Sequence, residues 1–227
     1  CPLQEPWVLA HKAEGFFEME EANVKEIIKE ATKDKNGTYS FCFETYNITE
    51  LLSTVHPEHE IRDDAHAAIT DLLTGVVSHL LFTATQLSRC ASSEAKEHVV
   101  VTAKHVVAAV PLVMPGELSV HGKREVEKNV SKFESSPEFQ ANPEFQAASP
   151  QQMASIADSA GLQLWLKPWT RKALHEHVLG KTVVSEGAFV ALSGAAEYMG
   201  LEILELSGNA SRDFRSREII PWHLNLA

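Results

Sequence analysis

The sequence lacks a surplus of positive charge. Its 227 residues contain 20 lysines and arginines against 31 aspartates and glutamates, a formal net charge of −11. The deficit is shared, since residues 1–134 hold 13 cations and 21 anions and residues 135–227 hold 7 and 10. Because non-specific nucleic-acid binders use an excess of cations, this balance argues against strong independent binding to DNA.

Cysteines and long apolar runs are also scarce. Cys1, Cys42 and Cys90 are an odd number without a closely spaced pair, which excludes a disulfide framework and indicates a reducing compartment. No basic and apolar leader opens the chain, and no apolar run has membrane-spanning length. We therefore expect no membrane partner.

Patterns for catalysis or metal binding are lacking as well. Gly180-Lys181-Thr182 resembles the end of a phosphate-binding loop, but His175 stands where that motif needs a glycine. No nucleophile with a base and an orienting group can be assigned. Two groups match no standard zinc spacing: His56, His59, Asp63, Asp64 and His66, and His175 with His177. We expect no enzyme activity, no cofactor and no metal.

Helical periodicity is clearest between Ser185 and Ala227. Apolar residues recur three and four positions apart: Phe189, Leu192, Ala196, Met199, Ile203 and Leu206. The spacing predicts an amphipathic helix of about six or seven turns, which Gly208-Asn209 is expected to end. A basic loop and a short helix opened by Pro221 follow. A helix of this length with one apolar stripe must pack against a partner of similar length.

The first half has a similar order of helices. The pattern predicts a short helix over 48–55 ended by Pro57, a long helix from about residue 61, and a polar loop over 92–97. A helix with a strand-like start at 99–101 and a further helix over 115–133 complete the predicted order of elements in the first half. Ahead of these elements, residues 17–31 predict an accessory helix.

The two halves are joined by a segment rich in Pro, Gln, Ala and Ser. Within it, Pro-Glu-Phe-Gln-Ala occurs at 137–141 and again at 143–147. This composition is typical of a tether between folded units. Its two phenylalanines indicate that the tether docks on the protein surface.

Several motifs carry a family resemblance. EYMGLEILELSGNASRD, followed by EIIPWHLNLA, resembles the long helix, second loop and third helix of a 2A-type core histone, and GLQLWLKPW resembles that histone's opening. VHPEHEI, within residues 55–91, and VMPGELSVHG with KNVSKF resemble a 2B-type core histone. The chain is therefore similar to a viral histone doublet, 2B type then 2A type, as in marseilleviruses.

The resemblance implies an all-α fold of two tandem histone folds, each short–long–short, in an intramolecular handshake. The implied segments are an N-terminal extension (1–36), a 2B-type fold with a C-terminal helix (37–134), a linker (135–159) and a 2A-type fold (160–227). Joining both folds in one chain makes their pairing intramolecular, at an effective concentration on the order of millimolar.

The implied function is structural packaging of double-stranded DNA in a nucleosome-like particle. The implied partners are histones of the histone-three and histone-four type, expected to be a doublet too, and a second copy of this chain. The implied location is the virion and viral factory or the host nucleus. The alternative is an acidic histone-fold scaffold or regulatory subunit that contacts proteins and has little direct contact with DNA.

The resemblance also implies two sets of site residues. The DNA-contacting set is Lys33, Lys35, Tyr39, Ser40, Lys96, His98, Lys167, Arg171, Lys172, Lys181, Thr182, Arg212, Arg215 and Arg217. The acidic patch, which binds arginines of partner proteins, is Glu117, Glu125, Glu197, Glu202 and Glu205. Pro168, Val183 and Glu218 stand where the family has arginines, so we expect weaker binding and a shallower salt dependence.

Overall fold

The computed structural model describes residues 45–91, 99–141, 150–166 and 182–227. The predicted accessory helix over 17–31, the polar loop over 92–97 and most of the region before the second long helix lie outside these residues. The described helices are α1 (Thr45–Val55), α2 (Asp63–Ala91), α3 (Ala103–Val113), α4 (Gly116–Glu134), α5 (Pro137–Ala141), α6 (Pro150–Ala160), α7 (Glu186–Asp213) and α8 (Pro221–Leu224).

Four short strands join the halves at both ends. They are β1 (Glu60–Ile61), β2 (Val99–Val101), β3 (Thr182–Val184) and β4 (Glu218–Ile219). β1 pairs in parallel with β4, with Glu60 opposite Glu218, and β2 pairs in parallel with β3, with Val99 opposite Thr182. Each pair takes one strand from each half. The start of α2 therefore lies near the end of α7 and the end of α2 near the start of α7, which confirms the predicted handshake of two histone folds.

The core is built where the two long helices contact each other and their neighbours. Leu73, Leu80 and Leu81 of α2 are fully buried, as are Leu192 and Ala196 of α7. Over residues 188–196 every side of α7 is buried. The amino-terminal half of α7 is thus the central element of the core.

Burial also separates these helices from membrane spans. Contrary to the expectation from the sequence, both α2 and α7 have the length and apolar content of a membrane span. More than half of each apolar stretch is buried inside the protein, 56% for α2 and 67% for α7. Their apolar content therefore serves the contact between the two halves.

Gly208 does not end α7, and the predicted stop at Gly208-Asn209 is wrong. The helix continues to Asp213, and Gly208 is buried within it. A Cβ atom at this position would overlap the ring of His56, which comes from the first half. The glycine is therefore a point of close approach between the halves, and the absent side chain makes room for an imidazole.

The described parts of the tether are helical and packed on α4. The ring of Phe139 in α5 lies 5.1 Å from that of Phe133. In α6, Met153, Ile156, Ala157 and Ala160 are buried, and their three- and four-residue spacing was a helical signal in the sequence. Asn129 of α4 fixes the end of α6 because its Nδ2 donates to the carbonyl oxygen of Ala160 at 3.0 Å.

Substitution of Gly208 by alanine tests this close approach. Alanine would gain about 1 kcal/mol of helix propensity, but its methyl group would displace the His56 ring. We expect a net loss of about 1–3 kcal/mol in the free energy of unfolding, measured by urea denaturation.

Gly187→Ala is the matched control in the same helix. Its Cβ would meet Ala103 Cβ at 3.5 Å and Phe133 Cε1 at 3.8 Å, which are ordinary contacts. This variant should be as stable as the parent or more so. Equal stability of the two variants would contradict the packing of His56 on Gly208.

Candidate nucleic-acid interface

The turn after α7 is held by its own backbone and by a buried serine. Arg215 has a φ of 56°, and its N–H donates to the Arg212 carbonyl at 2.8 Å. The N–H of Ser216 donates to the Ser211 carbonyl at 3.0 Å. Ser211 is fully buried, and its hydroxyl lies 3.1 Å from the backbone carbonyl oxygen of Ser216 and 3.2 Å from that of Glu218. The turn therefore has a defined shape before any ligand arrives.

This turn presents the three predicted arginines to solvent. Arg212, Arg215 and Arg217 are exposed, and none forms an ion pair with another residue in the described ranges. Arg212 donates to the Asn209 side chain at 2.5 Å, which orients its guanidinium. An exposed guanidinium without an ion-pair partner is suited to contacting phosphate.

The strand pair β1–β4 adds a fourth arginine that sequence reasoning missed. The N–H of Arg62 donates to the Ile219 carbonyl at 3.0 Å, which places Arg62 beside the basic turn. Its guanidinium binds Asp64 through two 2.7 Å hydrogen bonds, and this contact lowers the pKa of the Asp64 carboxyl. Only the strand register reveals this neighbour, since Arg62 and Arg217 are far apart in the sequence.

Acidic residues offset the arginines at this end. The pairing of β1 with β4 sets Glu60 directly opposite Glu218. Residues 60–64 and 212–218 include four arginines and five acids: Arg62, Arg212, Arg215 and Arg217, with Glu60, Asp63, Asp64, Asp213 and Glu218. The charge of this end is therefore nearly balanced, and attraction for DNA depends on which side chains face the phosphates.

Helix amino termini gather at both ends of the handshake. Each strand pair is parallel, and each strand leads directly into a helix. The helices α2 and α8 therefore begin on the same side of the pair β1–β4, and α3 and α7 begin on the same side of the pair β2–β3. Free N–H groups at such termini favour anions. Asp63 and Asp64 already occupy the first turn of α2, and buried Glu186 occupies that of α7, which reduces this attraction.

The second end is less complete in the described residues. Thr182, a predicted DNA contact, is only 4% exposed, because alternation in β3 turns it and Val184 inward and leaves Val183 half-buried. Its side chain therefore points away from a ligand in solvent. The other predicted contacts lie outside the described residues: Lys33, Lys35, Tyr39, Ser40, Lys96, His98, Lys167, Arg171, Lys172 and Lys181.

The predicted acidic patch divides into outward and inward carboxylates. Glu117 and Glu205 are exposed, and Glu125 pairs with Lys128 at 2.7 Å. Glu202 is half-buried and interacts with Tyr198, whose pKa is raised to about 12 by burial first and then by this carboxylate. Of the five predicted residues, these four are exposed or half-buried and lie on α4 and α7.

Glu197 is directed inward. Its carboxylate accepts hydrogen bonds from the backbone N–H groups of Gln163 at 2.6 Å and Leu164 at 2.8 Å. Burial raises the pKa of this carboxyl, although the two N–H groups act in the opposite direction. The side chain therefore fastens the entry segment of the second half onto α7 and is already occupied by these bonds.

Comparison with known proteins agrees with this geometry. No protein-family model matches the chain. The histone doublet of Melbournevirus, 2B type then 2A type, is 28% identical over 200 residues, which are 88% of this chain and 65% of that protein. The two tandem histone folds of this chain are consistent with that similarity. The match thus spans a little less than two thirds of the Melbournevirus protein's length.

Two further proteins to which this chain is similar are single histones. A histone of the 2A.Z type from Saccharomyces cerevisiae is 40% identical over 57 residues, which are 25% of this chain and 42% of that histone. A 2A.2 histone of Scheffersomyces stipitis is 54% identical over 44 residues, 19% of this chain and 34% of that histone. The local identity to 2A-type histones is thus higher than the identity along the whole doublet.

The inward role of Glu197 predicts a difference between two substitutions. Glu197→Ala leaves two backbone N–H groups without an acceptor, and we expect it to lower the free energy of unfolding by about 1–3 kcal/mol. Glu197→Gln keeps one acceptor oxygen and removes the buried charge, so it should cost less. Urea denaturation of both variants measures this difference.

The pH dependence follows from the raised pKa of Glu197. The stabilisation that accompanies this raised pKa is fully present at pH values below the pKa of Glu197 in the unfolded chain. It is lost as the pH rises through the pKa of Glu197 in the folded protein. The parent should therefore be more stable relative to Glu197→Gln at about pH 4 than at about pH 7. A difference that stays constant with pH would contradict the burial of this carboxyl.

Proposed function

We propose that the doublet packages double-stranded DNA as the 2B–2A-like part of a nucleosome-like particle. The observation that carries this proposal is the pairing of loops from opposite halves. At each end a parallel strand pair sets a first loop beside a second loop, with two helix amino termini alongside. Backbone N–H groups and arginines in this arrangement grip phosphates without reading bases.

The charge balance makes this role dependent on partners. With a net charge of −11 and an end where acids offset arginines, the doublet alone should bind DNA weakly. We propose that basic partners of the histone-three and histone-four type, themselves a doublet, and a second copy of this chain complete the particle. The location would be the virion and viral factory or the host nucleus, and the role structural rather than enzymatic.

The outward carboxylates Glu117, Glu125, Glu202 and Glu205 support a second part of the proposal. Glu117 and Glu125 lie on α4 and Glu202 and Glu205 on α7, and the two helices pack together. A guanidinium between them would contact more than one carboxylate. We propose that these carboxylates form an acidic face that binds arginine anchors of partner proteins. Glu197 is excluded from it by its bonds to the backbone of the entry segment.

One alternative is supported by a specific observation. The nearly balanced basic end and the acidic face also fit a histone-fold scaffold that contacts proteins and touches DNA little. The two functions share the fold and differ in whether the basic turn meets phosphate. An assembly assay distinguishes them.

Nuclease digestion of DNA mixed with the doublet and its partner histones tests packaging. We expect a discrete protected fragment that requires this chain. The variant Arg212→Ala/Arg215→Ala/Arg217→Ala should shorten or weaken the protection. For this variant, the slope of the logarithm of DNA affinity against the logarithm of salt concentration should also become shallower by about 1 for each phosphate that is no longer neutralised.

Arg124→Ala is the matched control, since Arg124 is exposed on α4 and lies outside both strand pairs. It should protect the same fragment as the parent. Digestion products identical to those of the partners alone, with no effect of the triple substitution, would overturn packaging and leave the acidic scaffold.

The acidic face predicts binding of arginine-containing peptides. Glu202→Gln with Glu205→Gln should weaken binding of such a peptide by about tenfold in fluorescence anisotropy. Glu127→Gln, an exposed acid of α4 paired with Lys123 at 3.8 Å, is the control and should leave the affinity unchanged. Equal affinity of all three proteins would argue against this face as the binding site.

A further inference from the structure

A cluster of two histidines and one carboxylate lies in the first loop of the 2B-type half. One ligand atom each of His56, Glu58 and His59 can be chosen so that all lie within 4.8 Å of one another. We propose that these residues bind a divalent transition-metal ion of the zinc class at the contact between the two halves. Such a site is contrary to the expectation from sequence spacing, and it is independent of DNA packaging.

His56 is oriented as a metal-ligating histidine is. Its Nε2 lies 3.0 Å from the carbonyl oxygen of Glu205, and since a carbonyl only accepts, Nε2 carries the proton. Nδ1, the ring nitrogen left for an ion, lies 3.7 Å from Glu58 Oε1. In the neutral ring Nδ1 and the carboxylate are both acceptors, and either a proton or a metal ion between them relieves their repulsion. Fixing the second ring nitrogen on a backbone carbonyl is the usual support of a metal ligand.

The ring nitrogens of His59 are buried and lack well-aligned hydrogen bonds among the described residues. The side chain is only 2% exposed, and neither ring nitrogen has a hydrogen bond with any residue of the described ranges. Its Nδ1 lies 3.1 Å from Glu58 Oε1 but is not aligned for a hydrogen bond. A buried polar atom left without a partner is unfavourable. A metal ion beside Nδ1 would supply that partner.

The distances fit a small ion with short bonds. Bonds of about 2.0–2.1 Å in tetrahedral geometry separate neighbouring ligand atoms by roughly 3.3–3.4 Å. The observed separations from Glu58 Oε1, 3.1 Å to His59 and 3.7 Å to His56, lie on either side of this value, and all three ligand atoms lie within 4.8 Å of one another, so the two rings would move closer together around a bound ion. Two imidazoles with one carboxylate favour zinc, iron, cobalt or nickel over magnesium or calcium.

The surroundings leave room for entry and for a further ligand. The side chain of Glu58 is 47% exposed, which gives an ion a route from solvent. Asp64, considered with these histidines in the sequence, is bound to Arg62 and lies outside the cluster. Three protein ligands would leave a position for water, as in open zinc sites.

The site would fasten one half of the doublet to the other. His56 belongs to the first half, but its ring lies on Gly208 and its Nε2 on the Glu205 carbonyl, both in α7 of the second half. An ion held by His56 therefore ties the first loop to the carboxy-terminal part of α7. Because metal binding to the folded state stabilises it, bound zinc should raise the thermal midpoint of the doublet.

Zinc titration of the full chain, stripped with a chelator, tests the proposal. We expect one zinc ion per chain by calorimetry, a rise in Tm with zinc concentration, and a tetrahedral visible spectrum with cobalt. Glu58→Gln, at an exposed position where folding is retained, should weaken zinc binding at least tenfold, and His59→Ala should do the same.

The control is His121→Ala. His121 also lies near a glutamate, 3.8 Å from Glu117, but this pair is exposed on α4 and has no third ligand among the described residues. It should bind zinc as the parent does. Zinc affinity that is the same in the parent and Glu58→Gln would overturn the proposal. So would a Tm that responds to pH and is unaffected by zinc, since then a proton alone occupies the gap between His56 and Glu58.

Discussion

The mutual burial of two long helices is the constraint on which the rest of this structure depends. α7 packs mainly against α1, α2, α3 and α4 of the first half, and it is buried on every side over residues 188–196. The hydrophobic core is therefore formed jointly by apolar residues of both halves. Holding both in one chain removes the need for a free half to find a partner, and the tether adds its own helices along α4.

The same constraint places the surfaces available for function. Because the long helices run antiparallel, the first loop of one half lies beside the second loop of the other half. The parallel strand pairs form where these loops contact each other. Exposed arginines and helix amino termini come together there. Acidic residues come together there too, because Glu60 and Glu218 are opposite each other in the register. The proposed packaging of DNA therefore relies on basic partners.

Polar and glycine positions in the interior set the fine alignment of the halves. Gly208 admits His56, and Asn129, which contacts Gly194, holds the end of α6. Glu197 receives the entry segment of the second half through two backbone N–H groups. Each of these contacts joins elements that are distant in the sequence, so each also reports whether the handshake has formed correctly.

Local patterns in the sequence determined the helices and the order of the two halves. The short helix ended by Pro57, the long periodic segments and the helix opened by Pro221 follow from spacing and from proline chemistry, which act between neighbouring residues. The motifs of the two halves were sufficient to predict the handshake. The buried residues of α6 also had helical spacing, although the prolines around them indicated a tether.

Only the tertiary structure decided which of these residues face each other. A glycine in a helix is equally consistent with a stop or a close approach, and the position of His56 selects the second at Gly208. Likewise, whether Glu197 points outward, whether Thr182 is exposed and whether His56 meets His59 depend on strand register and on contacts across the handshake. Spacing along one chain segment carries no information about the segment packed against it.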